Sequence, residues 1–158
     1  MKHATDMRGG FTVATYDGLS GTEQALVAVL RRWPDEARNA GDGIGTVLRA
    51  WMAPAAAMRC RQALETVLGI LARHGRRKLV RHRPNCPCVG ADEAVFAHLV
   101  MTAATGERED AMLIGSLMVE GALLLPLVDA ARTAGLVLCR ADLAGRRDGS
   151  GHAGATVH

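Results

Sequence analysis

The sequence predicts an all-α fold: a single-domain bundle of five or six helices, in two helical halves joined by a Cys-Pro-Cys loop at residues 86–88. Three observations carry that expectation. Apolar residues recur at three- and four-residue spacings over several windows, the period of a helix buried on one face. Aromatics are only 3% of a chain that is 49% apolar, so the core must be Leu, Val, Ala and Met. Such residues suit packed helices, whereas strands favour β-branched and aromatic side chains. Finally, Pro34, Gly75, Gly106 and Gly135 fall where the periodic windows end. With 158 residues the chain suffices for one domain burying about two thirds of its unfolded surface, and is short for two.

Met1 to Leu19 lack periodicity and include Gly9-Gly10 and Gly18, so they read as a partly flexible lead-in pinned by Phe11, Val13 and Tyr16. Ser20-Gly21-Thr22-Glu23 is a capping box, with Ser20 as N-cap and Glu23 reaching back to it. The helix that follows, to about Trp33, sets Leu26, Val29, Leu30 and Trp33 on one face before Pro34 ends it. Asn39 to Gly45 reads as a glycine-rich loop, with a short helix from Ile44 to Met52 presenting Val47, Leu48 and Trp51. Pro54 suits a first helical turn, where its missing N–H costs nothing. That helix should reach His74, burying Met58, Ala63, Leu64, Val67, Leu68 and Leu71, with Gly75 as its C-terminal stop.

Beyond the loop, Ala91 to Thr105 is apolar nearly all round and is expected at the centre of the fold, with Asp92 and Glu93 favourably placed in its first turn. Glu107-Arg108-Glu109-Asp110 opens a helix to about Val119. Another should cover Leu123 to Ala134, with Pro126 in its first turn, Gly135 as its stop and Leu136–Cys139 as a packed tail. The domain is thus expected to span residues 1–144, with Gly-rich residues 145–158 as a disordered tail.

The net charge of +3 conceals an asymmetry. Residues 1–90 carry 14 Lys/Arg against 7 Asp/Glu, and residues 91–158 carry 5 against 9. The halves should attract each other, or each should face a different partner. The longest apolar candidate, Ala111 to Val128, is interrupted by Ser116, Glu120 and Pro126, so no membrane partner is expected. No segment reads as a signal peptide. The expected setting is cytoplasmic, where four cysteines serve as thiols or metal ligands before disulfides.

Residues 81–98 hold the chemistry-bearing side chains. His82, Cys86, Cys88 and His98 form a candidate tetrahedral zinc set, with Asp92 as an alternative ligand and Cys60 or Cys139 as outside candidates. Zinc is the one cofactor this pattern suggests. The same cysteines suit thiol redox chemistry, because a Cys-x-Cys disulfide closes a small strained ring and is easily reduced. Arg81, Arg83 and the following helix N-terminus would favour a thiolate there. A third reading is a proline-shaped connector.

Arg73, Arg76, Arg77, Lys78, Arg81 and Arg83 make the densest basic segment, a candidate nucleic-acid surface. No aromatic is interleaved to stack on bases, so a solvated edge facing the acidic half is preferred. A helix–turn–helix over Glu107–Ala134 lacks base-reading side chains on its second helix. No P-loop, dinucleotide glycine pattern or nucleophile elbow is present, and nothing supports an enzyme. Met52, Met58, Met101, Met112 and Met118 fall at core-like spacings. The function expected is therefore a small accessory or regulatory protein acting on a protein partner or as a homodimer. Nucleic-acid binding and thiol redox chemistry are the alternatives.

Overall fold

The computed structural model describes residues 8–33 and 43–150. The capping box forms as its sequence requires: Ser20 Oγ accepts the Glu23 N–H at 3.3 Å, and Glu23 Oε2 accepts the Ser20 N–H at 2.9 Å. It starts α1 (Gly21–Arg32), which buries Leu26, Val29 and Leu30. The expected stop at Pro34 lies outside the described residues. The second helix, α2 (Gly43–Arg49), begins inside the stretch expected to be loop. Ile44 and Leu48, one turn apart and fully buried, supply a packing stripe that outweighs the cost, about 1 kcal/mol each, of Gly43 and Gly45 in a helix.

Pro54 occupies the first turn of α3 (Pro54–His74), which buries Ala57, Cys60, Leu64, Val67 and Leu71 along one stripe. Met58 sits one residue off that stripe and is 63% exposed, contrary to expectation. Gly75 donates its N–H to the Leu71 carbonyl at 3.0 Å with φ −61°, so the helix ends without a left-handed residue. By contrast, Gly106 ends α4 (Ala91–Thr105) at φ 96°, a conformation that favours glycine. The next helix, α5 (Arg108–Met118), leads by a short connection into α6 (Gly121–Ser150).

The last helix departs most from expectation. Gly135 does not stop it, and Leu136–Cys139 is part of one 30-residue helix. A Cβ on Gly135 would lie 2.6 Å from the Val100 carbonyl oxygen and 2.6 Å from Ala104 Cβ. At this glycine the backbone of α6 packs directly against Val100 and Ala104 of α4. The helix continues past Gly145 to Ser150, into the stretch expected to be disordered, and Pro126 lies within it. By length and composition Gly121–Gly149 is long and apolar enough to cross a bilayer. Here its stripe of Leu127, Val128, Ala131, Ala134 and Leu138 is buried where α6 packs along α3 and α4. The all-α expectation holds, and α4 is central, in contact with α1, α5 and α6.

The described part of the lead-in, residues 8–19, is also structured. Strand β1 (Thr12–Thr15) pairs antiparallel with β2 (Cys88–Gly90), Thr12 opposite Gly90 and Thr15 opposite Cys88, with a register irregularity at Val13. Phe11 and Val13 are 66% and 57% exposed, so they do not pin it. Tyr16 does: its hydroxyl donates to the Gln24 carbonyl at 2.9 Å, and its N–H donates to the Pro87 carbonyl at 2.7 Å. Thus β1 covers one side of the Cys-Pro-Cys loop.

Candidate functional site at the Cys-Pro-Cys loop

The loop hangs from two carboxylates in the first turn of α4. Glu93 is fully buried, and its carboxylate accepts from Arg31 Nε at 2.8 Å and Nη2 at 2.9 Å. The same carboxylate accepts the His82 N–H at 2.9 Å and the Gly90 N–H at 3.0 Å. Burial pushes the Glu93 carboxyl up, but Arg31 and these two N–H groups together hold it below the usual carboxylate range. Arg31, itself only 4% exposed, turns its remaining donors onto the loop carbonyls: Cys86 at 2.8 Å and Cys88 at 2.6 Å. Its guanidinium also lies 5.7 Å from the Tyr16 ring centroid. One buried ion pair from α1 and α4 therefore fixes both ends of the Cys-Pro-Cys turn.

Asp92 anchors the approach to the loop. It receives a two-pronged contact from Arg77 and the Val80 N–H at 2.7 Å. Gly9 packs so close that a Cβ there would overlap the carboxylate. Both ion pairs join a cation of the basic half to an acid of the acidic half, as the charge asymmetry suggested.

His82 lies between the lead-in and the cysteines. Its Nε2 is 2.8 Å from the Gly10 carbonyl oxygen, and its Nδ1 is 3.3 Å from the Cys88 carbonyl oxygen. Carbonyl oxygens only accept, so satisfying both requires N–H on both nitrogens, which is the imidazolium. The Gly10 carbonyl is the main reason the His82 pKa is raised; burial opposes it, and the Cys88 carbonyl, Cys86 and Glu93 add to it. Cys86 Sγ sits 3.7 Å from the same Nδ1. The Cys88 backbone N–H lowers the Cys86 pKa most, with desolvation opposing; the Cys88 thiol and His82 lower it further. The other two cysteines go the opposite way. Burial pushes Cys60 up to about 12 and also raises Cys139, with Asp142 adding to the latter. All four are free thiols.

The structure sets the Cys86 sulfur beside His82, with the Cys88 carbonyl facing the same ring nitrogen, and does not assemble the zinc set. Among the described residues no three His, Cys, Asp or Glu side chains converge in a way that could hold a metal ion. Asp92 is committed to Arg77 and Val80, both His82 nitrogens face carbonyls, and His98 is exposed on α4. The basic segment is similarly engaged. Arg73 donates to the Gly69 carbonyl, Arg76 to Ser116, Arg77 to Asp92 and Arg81 to Leu30, leaving Lys78 and Arg83 as exposed cations without such a contact among those hydrogen bonds.

Arg31, Gly10 and the role of Glu93 were missed in the sequence. A signal existed for the pair. Glu93 falls in the 93–96–97–100 stripe with Phe96, Ala97 and Val100, and Arg31 follows Val27 by one turn. A charge on a buried stripe requires an opposite partner. Compared with protein-family models, curated proteins and solved structures, the chain has no significant match.

Proposed function

We propose that the chain is a thiol–disulfide exchange protein, with Cys86 as the attacking thiolate and Cys88 as the resolving thiol. One observation carries the reading: Cys86 Sγ lies 3.7 Å from a His82 ring whose two nitrogens both face carbonyl acceptors. An imidazolium beside a thiol is the usual way to obtain a nucleophilic thiolate at neutral pH. In the first step the Cys86 thiolate attacks one sulfur of a substrate disulfide, forming a mixed disulfide and expelling one thiolate. Cys88 then loses its proton to solvent and attacks Cys86 Sγ, closing the Cys86–Cys88 disulfide and expelling the second thiolate. The protein is oxidised by two electrons and the substrate is reduced to two thiols. The strained small ring favours the reverse reaction as well, so the loop can pass the disulfide on.

The test uses the Cys60→Ala/Cys139→Ala protein, reduced and exposed to neutral 2-hydroxyethyl disulfide. Peptide mapping should find the Cys86–Cys88 disulfide, and Cys88→Ser should halt the reaction at a mixed disulfide on Cys86. Reaction no faster than that of free cysteine, or adducts on Cys88 alone, would contradict it.

A role in protein contacts is favoured by one observation, the exposure of Leu113 (67%) and Leu117 (76%) one turn apart on α5. Light scattering of wild type beside Leu113→Asp/Leu117→Asp tests it: the variant should lower the mass if this face joins two copies.

A further inference from the structure

We infer that the molecule exchanging with Cys86 is a small anionic disulfide, one bearing carboxylates, drawn in by the cations beside the thiolate. This names the substrate class of the exchange proposed above and rests on that reading. Cys86 opens into a surface hollow of about 570 Å³ lined by Arg81, His82, Arg83, Asn85 and Cys86. That volume suits a small molecule. Among the described residues that line it, Arg81, His82 and Arg83 are basic and none is an acid. The acid behind the site, Glu93, is fully buried and ion-paired with Arg31, so its charge is compensated before it reaches the mouth. Arg83 is exposed at the rim, and Arg81 is braced by its contact with the Leu30 carbonyl at 3.3 Å. A bound carboxylate would meet the exposed Arg83 guanidinium and the His82 ring beside the attacking sulfur, and both repel an ammonium.

The discriminating experiment measures rates of the reduced Cys60→Ala/Cys139→Ala protein with three disulfides at low salt. They are anionic 3,3′-dithiodipropionate, neutral 2-hydroxyethyl disulfide and cationic cystamine, each divided by its rate with N-acetylcysteine amide. Each of two nearby cations is worth roughly threefold in attracting an anion and roughly threefold in repelling a cation in water at such distances, so the anionic-to-cationic rate ratio should be on the order of a hundred. The ratio should shrink as salt rises and collapse in Arg83→Glu. A ratio near one, or one that Arg83→Glu leaves in place, overturns the anionic-substrate inference while fast reaction preserves the exchange reading. Slow reaction with all three reagents overturns both.

Discussion

Replacing Arg31 by methionine tests the clamp that holds the candidate site. The substitution keeps most of the aliphatic length and removes the guanidinium from a position 4% exposed. It leaves Glu93, fully buried, without its ion-pair partner, and takes the Arg31 donors away from the Cys86 and Cys88 carbonyls. Breaking a buried pair from one side costs about 3–5 kcal/mol, mostly from the stranded charge. Glu93 retains the His82 and Gly90 N–H bonds, which favours the lower part of that range. For a domain of this size, about 3 kcal/mol corresponds to a fall in Tm of roughly 6–12 °C. The companion Arg31→Met/Glu93→Leu variant removes both charges, so it should be destabilised by less than the sum of the single substitutions. Calorimetry and urea titration of the four proteins measure both quantities. An Arg31→Met cost below about 1 kcal/mol, or strict additivity in the cycle, would refute the reasoning.

Two further expectations follow from the same geometry. Gly135→Ala should destabilise the fold by about 1–3 kcal/mol, because its Cβ meets Val100 backbone and Ala104 at 2.6 Å; an unchanged urea midpoint would mean the α4–α6 crossing is looser than described. Glu93, held below its ordinary pKa of 4.5, contributes stability that is present above about pH 4.5 and lost as pH falls through its lower folded value. Acid titration of wild type should show that loss, and Glu93→Gln should be less stable at pH 7 with a flatter profile below pH 4.5; identical profiles would contradict the clamp.

Much of the helical plan was legible because it rests on local signals. The Ser20–Glu23 box, Pro54 in a first turn and Gly106 at a helix end each have a mechanism confined to one turn. Gly135 shows where such signals end. In sequence it has the same appearance as Gly106, yet one supplies a left-handed residue and the other makes room for a neighbouring helix. Only the partner helix distinguishes them. Strand β1 was missed because four residues give too short an alternation, and its partner lies more than seventy residues away. At the site, the pattern placed His82, Cys86 and Cys88 in one loop, and the Cys86 sulfur lies beside His82. His98 and Asp92 were grouped with them by proximity in sequence, but a helix turns successive side chains about 100° apart. Asp92 faces Arg77 and Val80, and His98 faces solvent. The second nitrogen of His82 is set by Gly10, a contact across 72 residues that no local pattern encodes.

The central claim is that the Cys88 N–H and the neighbouring His82 make Cys86 ionise more readily than an ordinary thiol, and alkylation kinetics test it most directly. The groups around the sulfur are His82, Cys88 and Arg31, with Arg81 and Arg83 at the mouth and Glu93 compensated by Arg31. Iodoacetamide rates at Cys86, followed from pH 5 to 10 by peptide fragmentation in the Cys60→Ala/Cys139→Ala protein, should titrate below the ordinary thiol value of 9.0. His82→Gln should shift that midpoint upward. A midpoint at or above 9.0, unmoved by His82→Gln, would contradict the account.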